Sequence, residues 1–218
     1  MSESVPVWRQ ALSDEQHPLN RAAWMLFSNR FNLKYAQEIL LPQQAEVEAF
    51  CNTILDTDAL YEHESLGKGI APTNAIELLC AWKSESALPR MLKFLEEETW
   101  DSDVYGVTAD AIAAYGTVLV EPLLEMATRV SEDEQLVAIA GTLADAAPGD
   151  PRTIEFVKKT YDSRKEEFEI SYMAENVLVV DPEGGPEWLR ERMRTHKYSK
   201  ETRKRIEDAI ANKLKGLF

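Results

Sequence analysis

The sequence predicts an all-α protein, an α-solenoid of about five antiparallel helix pairs behind a helical N-terminal cap. Three observations predict it. An alanine followed three residues later by a larger residue recurs at Ala75/Leu78, Ala109/Ile112, Ala140/Leu143, Ala174/Val177 and, more weakly, Ala209/Asn212, the alanines standing 34, 31, 34 and 35 residues apart. Pro89, Pro122, Pro151 and Pro186 keep step with them at gaps of 33, 29 and 35, each near the start of an amphipathic stretch. No segment alternates apolar and polar residues long enough to argue for a sheet.

The elements follow in order. Residues 1–41 read as a helical cap: Leu19, Ala22, Ala23 and Leu26 form one helical stripe, Leu33, Ala36 and Leu40 a shorter one, and Trp8 and Trp24 are expected to be partly buried. Val47, Phe50, Cys51, Ile54 and Leu55 fall at i, i+3, i+4, i+7 and i+8, so the array at 42–218 opens with a clear helix. Residues 62–72 are a long connection before the helix holding Ala75. The five pairs are expected at 43–82, 87–116, 118–147, 150–181 and 185–218, in one continuous structural domain with the cap.

Each later period divides into two helices. Proline inside a helix costs about 3 kcal/mol, whereas in the first turn its missing N–H is no loss. The first helices should therefore begin near Leu88, Glu121, Pro151 and Pro186. Second helices are introduced by Asp101-Ser102-Asp103, Ser131-Glu132-Asp133-Glu134 and Ser163-Arg164-Lys165-Glu166, the last two matching a capping box. The alanines let neighbouring second helices approach closely while the residue three places on fills the adjoining gap.

The segments Gly106-Val107-Thr108-Ala109-Asp110-Ala111-Ile112-Ala113-Ala114-Tyr115-Gly116 and Leu136-Val137-Ala138-Ile139-Ala140-Gly141-Thr142-Leu143-Ala144-Asp145-Ala146 resemble HEAT or HEAT-like (PBS-lyase-type) repeats, a likeness covering about the C-terminal two thirds of the chain. Many such repeats carry an Asp in the turn and an Arg early in the second helix, forming a ladder along the stack. Here Asp101, Asp103 and Asp133 supply the acid and no arginine opens those helices, so apolar packing is expected to replace the ladder. The resemblance implies a binding surface on the second helices. It also brings two enzymatic alternatives: bilin lyases, which handle tetrapyrrole pigments, and HEAT-like DNA repair glycosylases.

Composition bounds these readings. No run of about 18 apolar residues and no basic-then-apolar leader occurs, so neither a membrane span nor a secretory signal is expected, and a cytoplasmic location is. Cys51 and Cys80 lack Cys-x-x-Cys spacing and are expected as buried reduced thiols. The net charge is −14. Residues 1–184 carry the excess acid, while the last unit is basic through Arg190, Arg192, Arg194, Lys197, Lys200, Arg203, Lys204, Arg205, Lys213 and Lys215. An acidic body disfavours nucleic acid along the array, and the basic end reads as a solubilising cap or, alternatively, a contact for phosphate or an acidic protein.

Catalytic patterns are sparse. Gly67-Lys68-Gly69-Ile70-Ala71-Pro72 approaches a phosphate-binding glycine motif but ends in proline and follows no strand. Glu62-His63-Glu64 resembles the His-Glu pairs of the HEAT-like di-iron enzyme deoxyhypusine hydroxylase, yet of three histidines, His17, His63 and His196, only His63 precedes a Glu. No cofactor, no metal and no catalytic residue is expected. The candidate site is the second-helix face: residues one and five places beyond the alanines include Asp110, Asp145 and Glu175, with Tyr105 and Tyr172 near the same edge. An acidic groove with aromatic anchors suits a basic or amphipathic protein or peptide partner, and the same residues also fit ordinary solvated helix. Trp82, Trp100 and Trp188, near turns, read as packing between units. The leading expectation is a non-enzymatic scaffold or adaptor for protein–protein interaction.

Overall fold

The computed structural model describes residues 5–98, 102–130 and 132–215, and all regular structure among them is helical. The chain divides into two compact units, residues 1–114 and residues 115–218.

Unit 1 contains α1 (Val7–Ser13), α2 (Asn20–Leu26), α3 (Leu33–Leu40), α4 (Gln44–Leu55), α5 (Ile70–Ala81), α6 (Leu88–Glu97) and α7 (Asp103–Ile112). α5 is its centre, packing against α2, α3, α4 and α7, because nearly all of its apolar positions are buried, including Ala71, Ala75, Ile76, Leu78, Leu79 and Cys80. The stripe expected on α4 is buried in full at Val47, Phe50, Cys51, Ile54 and Leu55. Asn74 of α5, also buried, donates from Nδ2 to the carbonyls of Leu26 at 2.7 Å and Ser28 at 3.2 Å, satisfying acceptors at the end of α2. Trp8 is buried and stacks on Phe27 with ring centroids 5.7 Å apart. Trp24 departs from expectation, being 61% exposed. On α2 the buried side is Ala22, Ala23 and Leu26, and at 100° per residue Trp24 points almost directly away from it.

Unit 2 contains α8 (Val120–Ala127), α9 (Asp133–Ala146), α10 (Pro151–Ser163), α11 (Glu167–Val180), α12 (Gly185–Thr195) and α13 (Lys200–Leu214). α9 packs on α11 and α11 on α13, while α8, α10 and α12 each pack against the helix that follows them. One core joins α9 to α13: Ala140 and Ala144 from α9, Val157 and Tyr161 from α10, Met173, Ala174, Val177 and Leu178 from α11, Leu189 from α12, and Ile206 and Ile210 from α13. Burying each large aliphatic contributes about 1.5–3 kcal/mol.

The four prolines occupy first turns, Pro89 second in α6, Pro122 third in α8, Pro151 first in α10 and Pro186 second in α12. Ala75, Ala140 and Ala174 are fully buried and Ala209 is 5% exposed. Ala109 is only half-buried, and Thr108 takes the inner position, its hydroxyl satisfied by donating to the Val104 carbonyl at 2.6 Å. The buried side of α7 is Tyr105, Thr108 and Ile112, a phase that turns Ala109 toward the flank.

Of the expected start signals, Ser102 caps α7 by accepting from the Tyr105 amide at 3.1 Å. Ser131, Trp100 and Asp101 lie outside the described residues. The capping box at Ser163 does not form: Ser163 ends α10, its Oγ donating to Thr160 O at 2.8 Å, and α11 begins four residues later. Arg164 is the reason. Its side chain is 3% exposed and donates to Thr160 O, to Ser163 Oγ, and across to Asp133, reaching the carbonyl at 3.2 Å and Oδ1 at 2.8 Å. The start of α9 and the turn between α10 and α11 are thereby tied by an acid–arginine link, where apolar packing alone was expected.

One stretch, Asp103–Ala127, has the length and mean hydropathy (1.3) of a membrane span. Gly116, at φ 74° and ψ −147°, breaks its helical path; Tyr105, Ile112, Leu119, Leu123 and Met126 are buried, Val118 is exposed, and 28% of the apolar window is buried.

Candidate functional site

The site is built from two solvent-facing stripes in unit 2. On α11, Phe168, Ser171, Tyr172 and Glu175 fall at i, i+3, i+4 and i+7. The opposite side, Ile170, Met173, Ala174 and Val177, is buried, which fixes the helix rotation and so the direction of the stripe. On α13, Arg205, Asp208, Ala209 and Asn212 repeat the same spacing, opposed by buried Thr202, Ile206 and Ile210. Ser199 sets the start of α13 by accepting from the Thr202 amide at 3.1 Å. Together the stripes line a groove of about 330 Å³ with Ala209 at its base.

The groove offers aromatic area and negative charge. Phe168 is 74% and Tyr172 43% exposed. Arg205 is engaged by Glu201 at 2.6 Å one turn back, whereas Glu175 and Asp208 supply carboxylates inside the groove. Such a surface can hold a lysine or arginine, its head on a carboxylate and its stem along an aromatic ring.

α9 extends the same face. A Cβ on Gly141 would lie 2.9 Å from the Tyr172 hydroxyl and 3.4 Å from Asn176 Nδ2. The absence of a side chain at 141 therefore gives the phenol its seat, and exposed Asp145 stands one turn beyond on α9. The structure thus brings Tyr172 and Glu175 into one groove, with Asp145 on the helix that seats Tyr172.

The other two expected site residues belong to unit 1. Asp110 is exposed on α7. Tyr105 is 3% exposed, on the buried side of α7, and burial pushes its phenol up to about 12. It is a core residue and presents no ring to a partner. Phe168 and Asp208 were not anticipated, and Arg205 was expected only as part of the basic end. The i, i+3, i+4, i+7 spacing of Phe168 with Tyr172 and Glu175 is the signal that could have found the first, since it marks a second stripe opposite the core stripe.

Unit 1 holds a cavity of about 480 Å³ of mixed character, lined by Leu55, Phe94 and Val104 as well as by Asp58, Tyr61, His63, Lys68, Glu98 and Asp103. Gly67, Lys68 and Gly69 all adopt positive φ (87°, 55° and 80°), and the motif turns into α5 directly from a connection, without the strand a nucleotide cradle uses. Tyr61 donates to Leu55 O at 3.0 Å, and burial raises its phenol to about 12. Among the described residues no three His, Cys, Asp or Glu side chains converge as a metal site. Cys51 and Cys80 are buried and unpaired, and burial raises both thiols, Cys80 to about 12.

At the basic end, most arginines serve structure. Arg192 holds Asp162 through two bonds of 2.7 Å and lies 4.5 Å from the Trp188 ring centroid. Arg194 pairs with Glu187 at 2.5 Å, and Arg203 donates to His196 O at 3.0 Å. Trp188 packs edge-on against Tyr161 at 5.2 Å, inside unit 2. Trp82, at the end of α5, is half-buried. Comparison with known protein families, with curated proteins and with solved structures finds no match.

Proposed function

We propose that the chain is a non-enzymatic protein-binding scaffold or adaptor of HEAT-like construction, an α-solenoid of helix pairs whose acidic second-helix face takes a basic or amphipathic peptide segment. The observation that carries this is the pair of solvent-facing stripes on α11 and α13, with Phe168 and Tyr172 exposed beside Glu175 and Asp208. Globular helices normally turn such rings inward, and aromatic side chains beside desolvatable charge are typical binding anchors. The HEAT-like reading draws support from the alternation of packing in unit 2, where α9, α11 and α13 pack in sequence, and from the Asp133–Arg164 link, an acid–arginine tie between successive helix pairs, with the arginine in the turn and the acid at the helix start, the reverse of the usual ladder.

The test is titration of labelled peptides by fluorescence anisotropy at two salt concentrations. A helical peptide with lysine or arginine beside leucine should bind, weaken as salt rises, and lose about tenfold or more with Glu175→Lys combined with Asp208→Lys. Binding that survives this double reversal, or that no basic peptide shows, would overturn the reading.

A further inference from the structure

A second surface, in unit 1, has the opposite charge. Trp24, 61% exposed, stands between two hollows that share it as a wall. One, of about 420 Å³, is mainly apolar and is lined by Leu12, Phe27 and Leu66 with Arg9 at its edge; Leu66 is itself 57% exposed. The other, of about 260 Å³, is lined by Met25, Phe31 and Tyr35 with Arg21 and Arg30. Among the described residues no carboxylate lines either hollow.

Two of the three guanidinium groups, those of Arg9 and Arg21, are held against aromatic rings, and Arg30 is exposed. Arg9 lies 5.1 Å from the Trp8 ring centroid. Arg21 donates to the Tyr35 hydroxyl at 2.8 Å, its guanidinium 5.9 Å from that ring. Among the described residues none of Arg9, Arg21 and Arg30 pairs with a carboxylate, whereas Arg152, Arg164, Arg192 and Arg205 all do. In a chain with an excess of 14 negative charges, a patch whose described lining holds three arginines and no carboxylate is a local feature. At physiological salt the Debye length is about 8 Å, so a ligand on the patch meets these arginines before the acidic remainder.

We infer that this patch docks an acidic peptide segment of a partner protein, with an apolar side chain in the hollow beside Trp24 and carboxylates on the arginines at either side. The concave form favours a peptide over a membrane, which would want the apolar residues on a protruding surface. The acidic body opposes single-stranded nucleic acid, which draws its affinity from an extended basic groove. The inference does not depend on the repeat reading or on the groove between α11 and α13.

The experiment uses the full chain and a short synthetic peptide of Asp and Glu interspersed with Leu and Phe. Two controls replace every acid by Lys or every Leu and Phe by Ser. Binding is read by calorimetry and by the indole N–H resonance of Trp24, assigned through Trp24→Ala. The acidic-apolar peptide should bind and shift that resonance, while both controls bind at least about tenfold more weakly. Trp24→Ala, and Arg21→Glu combined with Arg30→Glu, should each weaken it about tenfold or more at unchanged melting temperature, and Glu175→Lys with Asp208→Lys should leave it unaltered. No binding, equal binding of the lysine peptide, indifference to the Trp24 and arginine changes, or preference of the same residues for anionic vesicles or single-stranded DNA would each overturn the inference.

Discussion

The link between Asp133 and Arg164 yields the sharpest test of how the helices of unit 2 are held. Arg164 is 3% exposed in its side chain, whereas that of Asp133 is 66% exposed. The two partners are therefore unequal. Removing Arg164 as Arg164→Met keeps an unbranched side chain of similar length in the site, removes a buried charge and lets the Asp133 carboxylate return to water. Its bonds to Thr160 O, Ser163 Oγ and Asp133 are lost. Charge-assisted hydrogen bonds of this sort contribute about 1.5–3 kcal/mol, set against the relief of desolvation, leaving a net cost of about 1 kcal/mol. Asp133→Ala is the worse change, since it leaves the guanidinium buried on neutral acceptors alone. Full burial of both partners would make that about 3–5 kcal/mol, and the exposure of Asp133 reduces it to about 2 kcal/mol.

A double-mutant cycle separates the two effects. With Arg164 already methionine, Asp133→Ala should cost only what a carboxylate in the first turn of α9 gains from the helix dipole, about 0.3–1 kcal/mol. Each kcal/mol corresponds to about 2–4 °C in Tm for a chain of this size. Thermal melts of the four proteins, with hydrogen exchange of α9 and α11 amides to localise the loss, measure the cycle. Additive costs, or Arg164→Met costing more than Asp133→Ala, would refute the claim that Asp133 matters by compensating a buried charge.

Three further outcomes are expected. Gly141→Ala should leave Tm nearly unaltered or slightly raised, because alanine favours helix by about 1 kcal/mol and the atom it meets is the tip of Tyr172; the displaced phenol should weaken basic-peptide binding several-fold in the anisotropy titration. Ala140→Leu should destabilise by about 1–3 kcal/mol through overpacking, whereas Ala109→Leu, at a half-buried position, should stay within about 0.5 kcal/mol, both read by urea denaturation. Asp150 caps α10 at Arg152 N, 2.9 Å away, and its hydrogen bond with the Arg152 side chain is the foremost cause holding its carboxyl at about 2 against an ordinary 3.8. The carboxylate's contribution is present above the unfolded value and is lost as pH falls from about 4 through about 2, so Asp150→Asn, which keeps a capping oxygen, should flatten that part of an acid-unfolding curve.

The buried faces were legible in the sequence because burial leaves a period. Val47, Phe50, Cys51, Ile54 and Leu55 could be read as a stripe before any packing was known, and all five are buried. The prolines marked helix starts for a similarly local reason, the absence of an N–H that only a first turn tolerates. What escaped was phase and reach. Alanine at 109 matched the spacing of its counterparts, yet Tyr105 and Ile112 are large enough to set the rotation of α7 and place Thr108 inward. Arg164 looked like a turn residue, because its partner Asp133 stands 31 residues away and only the packing of α9 on α11 makes them neighbours.

The same asymmetry governs the candidate sites. A core residue is constrained by its own helix, so three or four apolar positions suffice to find it. A surface site depends on which exposed stripe lies beside which, and that is set by helix packing. Tyr105 and Tyr172 are chemically alike and lie in the N-terminal halves of α7 and α11, but one lies on the buried arc and the other 43% open above Gly141. Trp24 makes the point in reverse. Composition suggests an interior residue, while α2 has already filled its inward arc with Ala22, Ala23 and Leu26. A large aromatic on the outer arc, flanked by arginines that pair with no acid among the described residues, leaves most of its surface uncovered by the helices around it. Its exposure is therefore most economically explained by a ligand that covers it.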